Sequence, residues 1–351
     1  MSIRFGFRTV MCGAVVALMV AAASAQTIFT TNTTIGPGDL TYENQDIIVR
    51  GCTVTIDGAH TFRSLIVERN GSNIAGVVTH TAAITGPGLN GLALTVTEDC
   101  TIQGADGPLV ASAFIVSGRG HPSSTGPGEG GDGVAGSGGG HGGVGGLSIL
   151  AGGVAYGNVA QPVEFGSGGG RDTNNAANGG SGGGCLRLIV GGTLILGGAI
   201  RADGANGAGA DAGGGSGGSL LITASGITGT GAISANGGNG SASGSGGGGG
   251  RIAIELGAGS FAGTSAAFGG SGGQRGGAGT ILLRAGGAAG DLVVRNAGAG
   301  ALTPIPASLS TVSNADVTNA VVLIDHPMMI ESNLVVGGAG DVSHTAAQAG
   351  G

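Results

Sequence analysis

The stretch "GGGSGGSLLITASGITGTGAISANGGNG", residues 213–240, sets short apolar segments between runs of almost pure glycine. Its two segments, "SLLITA" and "GAIS", are six and four residues long, contain β-branched residues and lack helical spacing, which reads as strand. Glycine at this density would ordinarily leave a chain disordered. Here 84 of 351 residues are Gly, yet 40% are apolar and only 9% charged, so there is material for a core. With no Trp, 2 Tyr and 8 Phe, that core must be built from Ile, Leu, Val and Ala. Stiff, β-branched side chains favour strands.

The stretch recurs. "CLRLIV" at 185, "SLLITA" at 219, "RIAIEL" at 251 and "TILLRA" at 280 each follow a glycine cluster, and "GAIRADG" from Gly198 matches "GAISANG" from Gly231, with an echo in "TSAAFGG" from Thr264. A unit of about 32 residues with two short strands cannot bury its apolar face alone, whereas stacked units align equivalent strands into one continuous core. The expected fold is all-β: a parallel β-helix-like solenoid with glycine-rich connectors. Two forms of connector remain open, plain loops or side-by-side extended helices of the polyglycine II kind.

Four further regions flank residues 185–302. Residues 1–25 carry Arg4 and Arg8, an apolar run from Val10 to Ala23 and the small-residue site Ala23-Ser24-Ala25, the pattern of a secretory signal. Cleavage there leaves 11 Arg, no Lys and 20 acids, with no later apolar stretch of membrane length. An exported, acidic chain without a basic run does not suit nucleic acid. Residues 26–120 hold Val/Thr/Ile-rich strands such as "DIIVRGCTVTIDG" and "LALTVTEDCTIQG". Residues 121–184 form a glycine-rich insertion too long for a structureless loop, hence either a lateral bundle or a binding loop. From about Thr303 the beginning is repeated, "VVTHTAA" at 77 returning as "DVSHTAA" at 341, so 303–351 reads as the start of a further module or a partial cap. Of the exported cysteines, Cys52 and Cys100 are the natural disulfide pair, with three separate buried thiols as the equal alternative.

The phrases "YGNVAQPVEFGSGGG", "GGGSGGSLLITA", "GAISANGGNG", "GGGGGRIAI" and "GGAGTILL" resemble those of large glycine-rich repeat proteins exported by bacteria. The resemblance covers roughly residues 60–350 and implies a β-solenoid at the cell surface, with no activity attached. In composition the chain is also similar to the glycine-rich sandwiches of phage tail-tip adhesins and the glycine-rich extracellular region of anaplastic lymphoma kinase, both of them recognition surfaces.

Catalytic motifs are thin. GxSxG at Ser181, Ser216 and Ser271 is what such a glycine content produces by chance, and without lysine no Walker A loop exists. His80 and His344 recur in the repeated "HTAA" as turn or ladder residues; His121 and His141 are loop histidines that Asp132 or Glu129 could join at a metal. A β-helix enzyme acting on polysaccharide would need converging carboxylates, for which Asp172, Asp203, Asp211 and Arg171, with Arg187 and Arg201, are the candidates. Asp203, matched by Asn236 in the next unit, reads instead as a corner residue bonding its own backbone. No cofactor is implied; calcium is a subsidiary expectation, since nonapeptides of the GGxGxDxUx type are lacking. The expected role is structural or adhesive, with a polysaccharide or a surface protein as partner and self-association through open ends. The alternatives are a lyase or hydrolase and an ice- or surface-binding protein, which would need a regular outward threonine ladder.

Overall fold

The computed structural model describes residues 25–82, 91–105 and 111–344, so the signal segment and the last "TAA" lie outside the described residues. The fold is all-β, with long parallel sheets and no helix among the described residues. Accordingly, no helix there is long and apolar enough to cross a membrane.

The repeat spacing read from the sequence becomes strand register. In the first sheet Cys185, Ser219, Arg251 and Thr280 stand side by side in the parallel strands Cys185–Leu196, Ser219–Thr228, Arg251–Leu256 and Thr280–Ala285. In the second, Ala113, Ala199, Ala232 and Thr264 align likewise, pairing "AFI", "AIR", "AIS" and "TSA". The first sheet has 13 strands and the second 7, and the chain visits them in turn. Alternate residues face inward: Leu186, Leu188, Leu220, Ile222, Ile252 and Ile254 from the first sheet share one core with Val54, Ile56, Phe114 and Ile200 from the second, all at most 1% exposed. Each such side chain contributes about 1.5–3 kcal/mol of burial.

Rungs differ in length. At the N-terminal end Asp46 pairs with Ser64, 18 residues on, and near the C-terminus Leu302 pairs with Val321, 19 residues on. In the middle the step from Ser219 to Arg251 is 32. The extra residues are the glycine runs, and they leave the sheets sideways.

Those runs are ordered by their own backbones. Within residues 213–218 the N–H groups of Gly213 and Ser216 donate to Gly170 and Ser167, those of Gly214 and Gly217 to Ser245 and Gly248, and those of Gly215 and Gly218 to Ala205 and Ala202. Residues 245–250 do the same toward Gly136 and Gly139, Gln274 and Gly277, and Gly238 and Ala235. Every third N–H thus meets the same neighbour. The segments approach so closely that a Cβ added to Gly214 would lie 2.0 Å from the Gly238 carbonyl oxygen. The insertion at 121–184 belongs to this bundle and is not a loop: Gly138, Gly139 and Gly140 donate to Gly146, Gly214 and Gly128.

Three features depart from the sequence reading. Cys52, Cys100 and Cys185 are free and buried, so of the two alternatives the three separate thiols are found and the Cys52–Cys100 disulfide is not formed. Cys52 directs its Sγ to the Phe29 carbonyl at 3.3 Å, and Cys100 sits inside the first sheet, paired with Leu65 and Leu194. Among the strands of the described residues direction reverses once, where Thr280–Ala285 pairs antiparallel with Asp291–Arg295, ahead of Thr303. Beyond that reversal Leu292, Val294, Val312, Val317 and Val322 make a second core. Asp203, finally, bonds the next repeat and not its own backbone. Its Oδ1 accepts the Asn236 N–H at 2.7 Å, and Asn236 in turn accepts the Phe268 N–H at 2.8 Å, one repeat further on.

Candidate functional site

Glycine segments pack tightly only where another segment covers them, and the insertion leaves one flank uncovered. A groove of about 600 Å³ runs there, walled by residues 127–132 on one side and 150–154 on the other, with Ser124 and Arg171 at its end. Its floor is glycine backbone. Arg171 is held by Asp132, whose Oδ2 accepts from Nε at 3.0 Å and Nη2 at 2.8 Å while Oδ1 accepts the Arg171 N–H at 2.8 Å and the Ser124 hydroxyl. Burial alone would raise the Asp132 carboxyl; the bonds from Ser124 and Arg171 outweigh it and hold the group below the ordinary carboxylate range. Glu129 is exposed beside this pair, and Leu150 and Val154 on the facing wall are 49% and 60% exposed.

Beneath the groove the insertion is tied to the first sheet by residues 156–165. The Tyr156 carbonyl accepts from Arg251 Nε at 2.8 Å, the Glu164 carbonyl accepts the Ser219 hydroxyl at 2.6 Å, and Val159 enters the second core. Successive rungs are thereby strapped together. Arg251 is 1% exposed, gives a further bond to Thr280 Oγ1 at 3.1 Å, and is pulled down to about 10 by burial.

His141 lies under the same strap. Expected as a solvated loop residue, it is instead fully buried and tilted against the Tyr156 ring at 4.7 Å. Its Nδ1–H donates to the Gly217 carbonyl at 2.9 Å, and its Nε2 has no partner. Burial, reinforced by the charge of Arg251, holds the ring down to about 3, so it is neutral. His80 is similarly neutral: Nδ1–H donates to the Thr81 carbonyl at 2.6 Å and Nε2 accepts the Cys185 N–H at 3.3 Å.

The enzyme candidates are dispersed. Of the four, Arg171 alone lines the groove. Asp172 caps a turn, accepting from the N–H groups of Asn174 and Asn175, and the Asn175 side chain, ahead of burial, holds it below its ordinary range. Asp211, at φ 51°, accepts the Ser243 N–H at 2.8 Å. Among the described residues no three His, Cys, Asp or Glu come together as a metal site. Ser216 pairs with Ser167, and Ser271 bonds Asn239 at 2.9 Å. Arg187 lines a separate recess with Cys185 and Val163, and Arg201 is exposed. Thr223 aligns with Ile189 and Glu255, and Thr280 with Arg251, so neither has a threonine beside it in register.

In the sequence Glu129 and Asp132 read only as companions of a metal histidine. Their place in a groove facing Leu150 follows from bonds between glycines more than a dozen residues apart, which no side-chain pattern encodes. Comparisons with protein families, with curated proteins and with solved structures return no match.

Proposed function

We propose that the chain is a secreted structural or adhesive protein of the cell surface or extracellular matrix: a parallel β-solenoid whose middle coils extrude polyglycine II segments that pack into a lateral bundle. The observation that carries this reading is the three-residue bonding period of residues 213–218 and 245–250, the backbone signature of extended three-fold helices. Such a bundle is rigid without side chains, and an open groove in it offers backbone N–H and C=O groups at close range to a saccharide or another protein. Secretion rests on the pattern of residues 1–25.

A glycan and cell-surface binding screen of the chain from Gln26 onward, with and without calcium, tests the role. Retention of a defined polysaccharide that is weakened by Arg171→Ala and Glu129→Ala supports it. Release of shortened or unsaturated product overturns it in favour of a carbohydrate-active enzyme. Absence of binding to any glycan or cell surface removes the adhesive half.

A further inference from the structure

Polar groups beneath the strap of residues 156–165 are closely matched. The Tyr156 hydroxyl donates to the Phe165 carbonyl at 2.5 Å and meets the Ser167 hydroxyl at 2.8 Å, the Ser219 hydroxyl donates to the Glu164 carbonyl, and Arg251 donates to the Tyr156 carbonyl and to Thr280. Among the described residues two buried side-chain nitrogens lack a hydrogen bond, Arg63 Nε and His141 Nε2. Arg63 already pairs with Asp46 and Glu98 through its other nitrogens. His141 has no such relief. Its ring is fully buried and its Nδ1–H is committed to the Gly217 carbonyl, which can only accept, so Nε2 presents a lone pair and calls for a donor.

What faces that lone pair is a second acceptor. Gly157, at φ 85°, passes beside the ring, and a Cβ on it would lie 3.2 Å from His141 Nε2 and 3.0 Å from Glu164 Oε2. The two atoms converge on one point, yet no bond joins them. Oε2 accepts the Val163 N–H at 3.1 Å, which leaves it further lone pairs. Two converging acceptors can be joined by a cation or by a neutral group with two donors. A cation is disfavoured, because buried Arg251 already sets a positive charge against the ring and, among the described residues, no third His, Cys, Asp or Glu completes a metal site. A peptide or sugar chain cannot reach a nitrogen that the strap covers. The smallest neutral double donor remains.

We infer that one water molecule is bound beneath the strap, donating one hydrogen to His141 Nε2 and the other to the Glu164 carboxylate. Two polar partners suffice to hold a buried water. The bridge ties the strap, through Glu164, to the glycine segment that carries His141, and makes Glu164 a positioning residue for the ring. Gly157 leaves room for it, since the Cβ of any other residue would come between the two acceptors. The site lies inside the bundle and is independent of the adhesive role proposed above.

A crystal structure of the chain from Gln26 onward, fine enough to show ordered waters, tests this. The expected result is an oxygen peak about 2.8 Å from both His141 Nε2 and a Glu164 carboxylate oxygen. No peak there, or a protein donor bonded to Nε2, overturns the inference. So does a peak with the anomalous signal of a transition metal, which would make the pair a metal site. In solution, oxygen-17 relaxation dispersion of water should give the same long-lived water in the native chain and in Glu164→Gln, whose carbonyl still accepts. In Glu164→Leu that water should leave about tenfold faster, the equivalent of one hydrogen bond. An unchanged residence time in Glu164→Leu removes Glu164 from the bridge and overturns the inference.

Discussion

Replacing Gly248 by Ala isolates the packing of the glycine bundle from every other source of stability. Gly248 is not among the positive-φ residues, so alanine meets no backbone strain there and would, in open surroundings, gain up to about 1 kcal/mol from a stiffer unfolded chain. Its Cβ, however, would lie 2.0 Å from the Gly143 carbonyl oxygen and 2.7 Å from the carbon, where ordinary contact begins at 3.4 Å. The neighbours must part by more than ~1 Å, which is enough to break the bonds Gly248 makes, 2.8 Å to Gly139 and 2.9 Å from Gly217. Two buried backbone bonds lost without solvent to replace them, together with the overpacking, come to about 3–6 kcal/mol. Against a stability of roughly 5–15 kcal/mol, that is a large fraction of the whole. Gly38→Ala serves as control, since nothing lies within 4 Å of its added Cβ and its φ is not positive. Urea unfolding followed by circular dichroism is the assay. The packing account fails if Gly248→Ala and Gly38→Ala unfold within about 0.5 kcal/mol of each other, the spread of an ordinary surface change.

Two further outcomes are expected. The unfolded chain protonates His141 near the ordinary 6.5 whereas the folded chain resists until about 3, so stability is full above about 6.5 and falls as pH drops toward 3, by of order 4 kcal/mol. His141→Asn should flatten urea midpoints between pH 6.5 and 4, leaving the smaller slopes that the lowered His80 and His121 impose in the same direction; an unchanged slope would clear His141 of the effect. The chain from Gln26 onward should show no thiol reactive to an aromatic disulfide reagent while folded and three after denaturation, burial pushing Cys100 and Cys185 up to about 12; one thiol after denaturation without reductant would mean a disulfide exists.

The strands were legible because side chains announce them. "GAIRADG", "GAISANG" and "TSAAFGG" fall into one register, as do the four apolar segments from Cys185 to Thr280, because inward Leu and Ile recur at the spacing of the rungs. What the glycine runs do was legible only as a choice between plain loops and side-by-side extended segments. Their bonds pair residues as far apart as Gly139 and Gly248 through main-chain atoms that all residues share. His141 illustrates the cost, since a histidine among glycines reads as solvated until the bundle closes around it. Asp203 and Asn236 were matched correctly as corner residues, but whether such a carboxylate bonds its own turn or the next repeat depends on the rung spacing in three dimensions, and here the neighbour wins. The Cys52–Cys100 pairing failed for a similar reason: Cys52, in the bend before the strand Thr53–Ile56, and Cys100, in the strand Cys100–Ile102, lie in one core and still belong to different rungs.

The period of three in the glycine segments also sets how such a chain can vary in length. Each residue turns the next N–H by about 120° around the segment axis, so one inserted glycine redirects every later donor from one neighbour to another. Three inserted glycines restore all directions and only lengthen the segment. Within one such segment an insertion of three glycines is therefore expected to be tolerated, and a single-residue slip within "GSGGGGG", residues 244–250, should be as damaging as a frame error is to a message.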